Sequence, residues 1–189
     1  GLNGNGCQDS IKIKVNIFAK DAMKACIDVA YHEDYAVAAC LLFPNWGDDK
    51  PVEEIVTRIN EIEPYVPGLF YRRELPCILA VLEKVEVPLE VIVVDSYVWL
   101  DETQKPGLGG HLYEALHYKT DVIGVAKTPF LAAPAVELKR AGAKRPLYIT
   151  AAGMPNEEAA TAIARMHGSY RLPTLLKQVD QLCRQTVLL

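Results

Sequence analysis

The chain has 189 residues, 50% of them apolar and 23% charged, with a formal net charge of −4 and a pI near 5.6. That length supports one sizeable core and is short for two full domains, and no apolar run reaches the roughly eighteen residues of a membrane-crossing helix. The acidic balance is not the basic footprint of an ordinary nucleic-acid binder, although a local basic rim can hold phosphates beside a carboxylate cluster.

Residues 1–6 (G-L-N-G-N-G) are small and polar and lack the charged start and apolar core of a signal peptide. The first ten residues therefore read as a disordered leader or a remnant of expression, ahead of a single domain over 11–189, with the cytoplasm as the default location. Residues 11–18 (I-K-I-K-V-N-I-F) alternate apolar and polar, the period of a half-buried strand. Residues 25–31 and 35–43 are apolar, β-rich runs around the polar turn His32-Glu33-Asp34, which predicts a hairpin.

The stretch 44–51 is a loop, and 52–62 fits either a strand or a short helix. Pro64-Tyr65-Val66-Pro67-Gly68 is a rigid turn, two prolines fixing φ and the glycine freeing it. Helices are predicted over 72–84, 107–118 and 156–167, the last capped by Asn156, and an amphipathic segment over 173–183. Strands are predicted over 89–94, 122–125 and 146–150, the first two apolar enough to be covered on both faces. An antiparallel hairpin followed by β-α-β units implies an α/β fold, a mixed sheet flanked by helices.

Five cysteines (Cys7, Cys26, Cys40, Cys77, Cys183) show no C-x-x-C pair, so neither a disulfide framework nor a zinc site is expected, and those in apolar runs are core thiols. Ionised groups avoid apolar strands because desolvation is costly. Asp28 inside A-C-I-D-V-A-Y and Asp95 ending V-I-V-V-D therefore stand out, since ligands gather at the carboxyl ends of such strands. Two acids on neighbouring strands suit a hard cation; singly, each also fits a turn cap or an ion pair. Glu74 at a helix start fits a dipole role, and Lys127 after a buried strand fits either a phosphate contact or a solvated strand end.

The order P-Y-V-P-G, R-E-L-P, V-V-D, G-L-G-G-H-L, I-G-V-A-K, covering residues 64–127 almost continuously, resembles the endonuclease V family. I-D-V-A-Y upstream and R-P-L-Y-I-T and G-S-Y-R-L-P downstream are similar as well. The resemblance implies a ribonuclease H-like fold and a divalent-metal-dependent endonuclease acting beside inosine or deoxyinosine in DNA or RNA. It makes Asp28, Glu74 and Asp95 the catalytic acids that bind Mg²⁺ or Mn²⁺, and Lys127 the active-site lysine. Pro64, Tyr65, Val66, Pro67 and Gly68 correspond to the wedge against the nucleic acid, and His111 to the helix histidine.

The sequence also departs from the family pattern. Ser96 replaces a glycine, and Tyr97-Val98-Trp99 replace small residues, which predicts a partly filled base pocket. Gly153 or Met154 stands where a histidine near the metals is expected, and the segment between Lys127 and Pro146 reads as lacking a hairpin. His117 and His167 fall late in predicted helices, and Trp46 and Trp99 suit core anchors or base stacking. Two rival readings follow: a non-catalytic nucleic-acid or partner-binding relative of the fold, and a metal enzyme acting on a small phosphorylated molecule. A closed pocket favours the latter and a long groove the nuclease.

Overall fold

The structure is a computed structural model and describes residues 22–186. The strand expected over 11–18, the leader and Cys7 lie outside them. The predicted hairpin forms as β1 (Met23–Tyr31) and β2 (Ala36–Phe43). The ambiguous stretch after it is β3 (Glu53–Ile59): only Ile55 and Thr57 are buried, an alternation with the two-residue period of a strand.

The chain continues through α1 (Phe70–Leu82), β4 (Leu89–Val94), α2 (Leu108–Ala115), β5 (Asp121–Ala126) and β6 (Val136–Leu138). It ends with β7 (Leu147–Ala152), α3 (Asn156–Ala164) and α4 (Thr174–Gln185). The seven strands form one mixed sheet in the order β3-β2-β1-β4-β5-β7-β6. The central β1, β4 and β5 run parallel, and the strands outside them pair antiparallel. Central strands buried on both faces explain why 89–94 and 122–125 are almost wholly apolar.

Alternate residues feed two cores. Cys26, Val93 and Val125 pack under α3 and α4 with Ile163, Leu175 and Val179. Ile27, Ile92 and Val94 pack under α1 and α2 with Ile78 and Leu112. Burying each such aliphatic side chain contributes about 1.5–3 kcal/mol. Pro76 lies inside α1 and removes one helical hydrogen bond, but Cys77, Ile78 and Val81 beside it are buried and hold the helix to the sheet. The cysteines within the described residues are free and buried, as core thiols should be. No helix among the described residues is long and apolar enough to cross a membrane.

Several local expectations are corrected. The segment after Lys127 does contain a strand, β6, hairpinned onto β7. Its three residues, V-E-L, are too few to carry a periodicity. Asn156 is not a cap; Pro155 holds that position. The Asn156 carboxamide instead accepts from the Ala151 amide at 2.9 Å and donates to the Pro134 carbonyl at 2.7 Å, tying β7 to a loop. α2 stops at Ala115 because His117 and Tyr118 take φ of 56° and 59°, which ends a right-handed helix. His167 likewise lies beyond α3, with Nδ1 2.9 Å from the Thr174 hydroxyl.

One glycine fixes how the chain leaves β4. Residues 96–98 fold back over β5 so closely that a Cβ on Gly124 would lie 2.3 Å from the Ser96 carbonyl oxygen and 2.9 Å from the Val98 nitrogen. The Val98 amide donates to the Thr150 hydroxyl at 2.8 Å across this crossing.

Candidate functional site

The parallel register positions the acids. Ile27 pairs with Val94, so Asp28 and Asp95 are the next residues along adjacent strands. Asp28 shares a face with Cys26, and Asp95 with Val93, by the alternation of a strand; both of those partners belong to the core beneath α4. Val94 pairs with Gly124, and Lys127, two residues beyond the core residue Val125, points to the same face. The Lys127 ammonium donates to Asp95 Oδ2 at 2.9 Å, with each side chain about two-fifths exposed. Glu74 comes from the opposite layer: it is a buried residue early in α1 and joins Asp28 and Asp95 in lining one cleft of about 170 Å³.

A fourth acid completes the group. Asp180 projects from α4 into the same cleft, and its carboxylate, the Asp28 carboxylate and Cys183 Sγ all lie within 4.8 Å of one another. Asp180 Oδ1 accepts from Arg184 Nε at 2.7 Å. Sequence reasoning missed this residue, although a signal existed. Leu175, Leu176, Val179 and Cys183 form the buried stripe of α4, and Asp180, four residues after Leu176 and three before Cys183, falls on that stripe. Cys183 itself is a poor partner for a hard cation: its thiol is pushed up to about 12, chiefly by burial, then by Asp28 and Asp180, and its Sγ donates to the Asp180 carbonyl at 3.2 Å.

Burial first, and the neighbouring carboxylates second, set the electrostatics. Burial, followed by the charge of Asp95, pushes the Asp28 carboxyl up to about 7, although the Val29 amide donates to its Oδ1 at 2.9 Å. Burial and the charges of Asp28 and Asp95 push Glu74 up to about 8. For Asp180, burial acts upward but hydrogen bonds from Arg184 and Asp28 outweigh it and hold the carboxyl below its ordinary value. Lys127 is pulled down by burial, yet its hydrogen bond to Asp95 and the charges of Asp95, Asp180 and Asp28 hold it above its ordinary value. Carboxyls raised by burial and then by one another, in a cleft, mark a site that gains from a positive charge.

The turn expected to act as a wedge stands beside this cleft. Pro64 to Gly68 are all exposed, Tyr65 by 60%. Val66 O accepts from the Leu69 amide at 3.0 Å, and Gly68 takes φ of +80°, the third position of a type II turn led by Pro67. Behind the turn, Leu69, Ser96, Gly107 and His111 line a second pocket of about 410 Å³. The two pockets share Phe70 and Leu108, so they lie side by side, with Gly68 of the turn lining the second. His111 stacks on Tyr71 with ring centroids 3.6 Å apart, and burial holds its imidazole below the ordinary value.

Two expectations about the site are overturned. Tyr97, Val98 and Trp99 do not fill the pocket beside the wedge. The Tyr97 hydroxyl donates to the Thr128 carbonyl at 2.6 Å, Val98 is fully buried, and Trp99 Nε1 donates to the Ala151 carbonyl at 2.9 Å. The fold-back over Gly124 carries them toward the sheet. Gly153 and Met154 are not near the acids either. β7 runs antiparallel to β5 with Ala152 opposite Val122, so residues 153–154 lie at the other end of the sheet from Lys127. Asp180 is the residue that α4 brings to the acids. Trp46, by contrast, anchors core, edge-on to Phe43 at 5.9 Å.

A family model described as Endonuclease V matches residues 7–168. The chain is 34% identical over 183 residues to an endonuclease V of Streptomyces coelicolor, covering 84% of this chain and 76% of that protein. Among solved structures, endonuclease V of Streptomyces avermitilis superposes with a TM-score of 0.69 at 26% identity, covering 87% of this chain and 80% of that one. Ciona intestinalis endonuclease V, in complex with a 23mer DNA containing an inosine followed by a ribo-adenosine, superposes with a TM-score of 0.73. There the identity is 16%, with 89% and 86% covered, a likeness of fold. The mixed sheet flanked by helices is the ribonuclease H-like arrangement that the resemblance implied.

Proposed function

Since this chain belongs to the endonuclease V family, we propose that it is a divalent-metal-dependent endonuclease hydrolysing phosphodiester bonds beside inosine in DNA or RNA. The observation that carries the reading is the meeting of Asp28, Glu74, Asp95 and Asp180 in one cleft, beside a second pocket lined by Gly68 of the exposed turn. Two adjoining pockets beside an exposed turn suit a strand of nucleic acid better than a small phosphorylated molecule. The Ciona protein's complex with inosine-containing DNA supports the choice of substrate.

The residues fit a hard cation. The donor set is all carboxylate, and a dication would offset both the burial and the Asp95 charge that push Asp28 up to about 7. Asp28 and Asp95 would hold Mg²⁺ or Mn²⁺, with Glu74 and Asp180 assisting from the two helices. When bound, the cation supplies Lewis-acid stabilisation of the charge that develops on phosphate oxygens and activates a water.

The chain's own groups do the rest. Lys127 keeps its proton, and its ammonium can turn from Asp95 to a phosphate oxygen as negative charge builds there. Glu74, pushed up by burial and by its neighbours, would ionise once a cation offsets those charges and could then take a proton from the attacking water. Tyr65, braced by Pro64 and Pro67, offers a stacking face that displaces a base, and the pocket lined by Leu69, Gly107 and His111 is large enough to receive it.

The test is direct. Purified protein with Mn²⁺ is incubated at high excess with inosine-containing single-stranded and duplex DNA and RNA, and products are mapped. Cleavage near inosine that disappears in Asp95→Asn is expected. Intact oligonucleotides that nevertheless remain bound would replace the nuclease by a non-catalytic binder.

A further inference from the structure

We propose that Arg184 is a substrate-binding residue that grips a phosphate of the nucleic-acid strand on the α4 side of the acid cleft, opposite Lys127. The proposal rests on the nuclease reading above and adds a residue that neither the motifs nor the comparisons single out.

Arg184 occupies the last turn of α4 and lines the cleft with Asp28, Glu74, Asp95 and Asp180. Among the described residues lining that cleft it is the only base. Its side chain is 69% exposed, and the ion pair to Asp180 at 2.7 Å uses Nε alone. A guanidinium carries five N–H donors in a planar fork. Engagement through Nε therefore leaves the two terminal amino groups for a second anion.

The need for such a donor follows from charge. A phosphodiester entering the cleft meets four acids, and the counter-charge from Lys127, paired with Asp95, reaches it from the β5 side only. Arg184 supplies the opposite wall. Planar, bidentate recognition of phosphate oxygens is what a guanidinium does better than an ammonium. A bland alternative exists: an exposed i,i+4 pair at a helix end is common and worth little. Location separates the two, because this pair borders the cleft and its acid belongs to the cluster.

The experiment uses the full chain carrying Asp95→Asn to prevent cleavage. Binding of a fluorescein-labelled, inosine-containing DNA is followed by anisotropy in Ca²⁺ across a range of salt. Adding Arg184→Gln is expected to weaken binding about tenfold and to reduce the slope of log affinity against log salt by about 0.7–0.9, the signature of one lost phosphate contact. Arg184→Lys should recover the slope and only part of the affinity. In the chain with Asp95 intact, Arg184→Gln should keep its thermal shift with Mn²⁺ while KM rises more than kcat falls. Equal slopes with and without Arg184 would overturn the proposal alone, as would loss of the Mn²⁺ shift in Arg184→Gln, which would reduce Arg184 to orienting Asp180. Failure of the Asp95→Asn parent to bind any nucleic-acid probe would overturn the nuclease reading and this inference together.

Discussion

Replacing Asp28 with asparagine should make the metal-free protein more stable at alkaline pH while removing its response to metal. Asp28 has a carboxyl raised from 3.8 to about 7, by burial first and Asp95 second. In the unfolded chain it ionises near its ordinary value. Stability is therefore fully present below about pH 4 and is lost as pH climbs toward 7. A rise of that size corresponds to about 4 kcal/mol for this group taken alone. Glu74, raised to about 8, acts in the same direction, but part of its rise comes from the charge on Asp28, so the two do not add. Asparagine keeps the volume and drops the charge, which also relieves Glu74. For a chain of this size each kcal/mol moves the melting midpoint by roughly 2–4 °C. At pH 8 in EDTA the variant should thus melt about 8–16 °C above the parent, and below pH 4 the gap should close. Addition of Mn²⁺ should raise the parent's midpoint and leave the variant's nearly unmoved. Parallel melting-versus-pH curves for the two proteins, or a full Mn²⁺ shift in Asp28→Asn, would refute the reasoning.

Other substitutions probe separate links. Tyr65→Ala should leave the melting midpoint unchanged, since the ring is 60% exposed, yet slow cleavage of inosine-containing duplex about tenfold or more if the ring stacks on a base; gel-based single-turnover rates read it. Gly124→Ala should cost about 2–4 kcal/mol, because its Cβ would meet the Ser96 carbonyl oxygen at 2.3 Å. Denaturant unfolding measures that loss, and cleavage should suffer as well, since Ser96 adjoins Asp95. Arg140→Met should cost about 3 kcal/mol in the same assay: Arg140, 5% exposed, donates to the carbonyls of Met166 and Tyr170 at 2.7 Å each, and truncation leaves buried acceptors unpaired.

Much of the sheet was legible because burial on two faces leaves a compositional mark. The runs at 89–94 and 122–125 could hardly be anything but covered strands, and the hairpin of β1 and β2 showed as two apolar runs around a charged turn. β3 was ambiguous because its E-E-I-V-T-R-I serves either period, and only its edge position beside β2 decides. β6 was invisible for the opposite reason, three residues being held by partners on β7 and not by their own pattern. Asn156 read as a cap because local preference favours that role, while tertiary contacts claimed both ends of its amide.

The candidate site divides in the same way. Asp28 and Asp95 could be found because a charge inside an apolar run is costly and conspicuous. Glu74 needed the order of surrounding motifs. Asp180 needed the helical period to be laid over residues 173–183, where an acid interrupts an otherwise buried stripe. The bulky residues after Asp95 misled because sequence gives side-chain size but not direction; Gly124, far along the chain, decides which way they turn.

The last helix has a double life as structural cover and as one jaw of the acid cluster. α4 caps the core over β1 through Leu175, Leu176 and Val179, and the same helix brings Asp180 beside Asp28. A cation bridging those carboxylates would latch the helix down, so ion loading and local opening become a single linked equilibrium. Amides of residues 174–185 should then exchange with solvent more slowly in Mn²⁺ than in EDTA, while those of β4 and β5 change little.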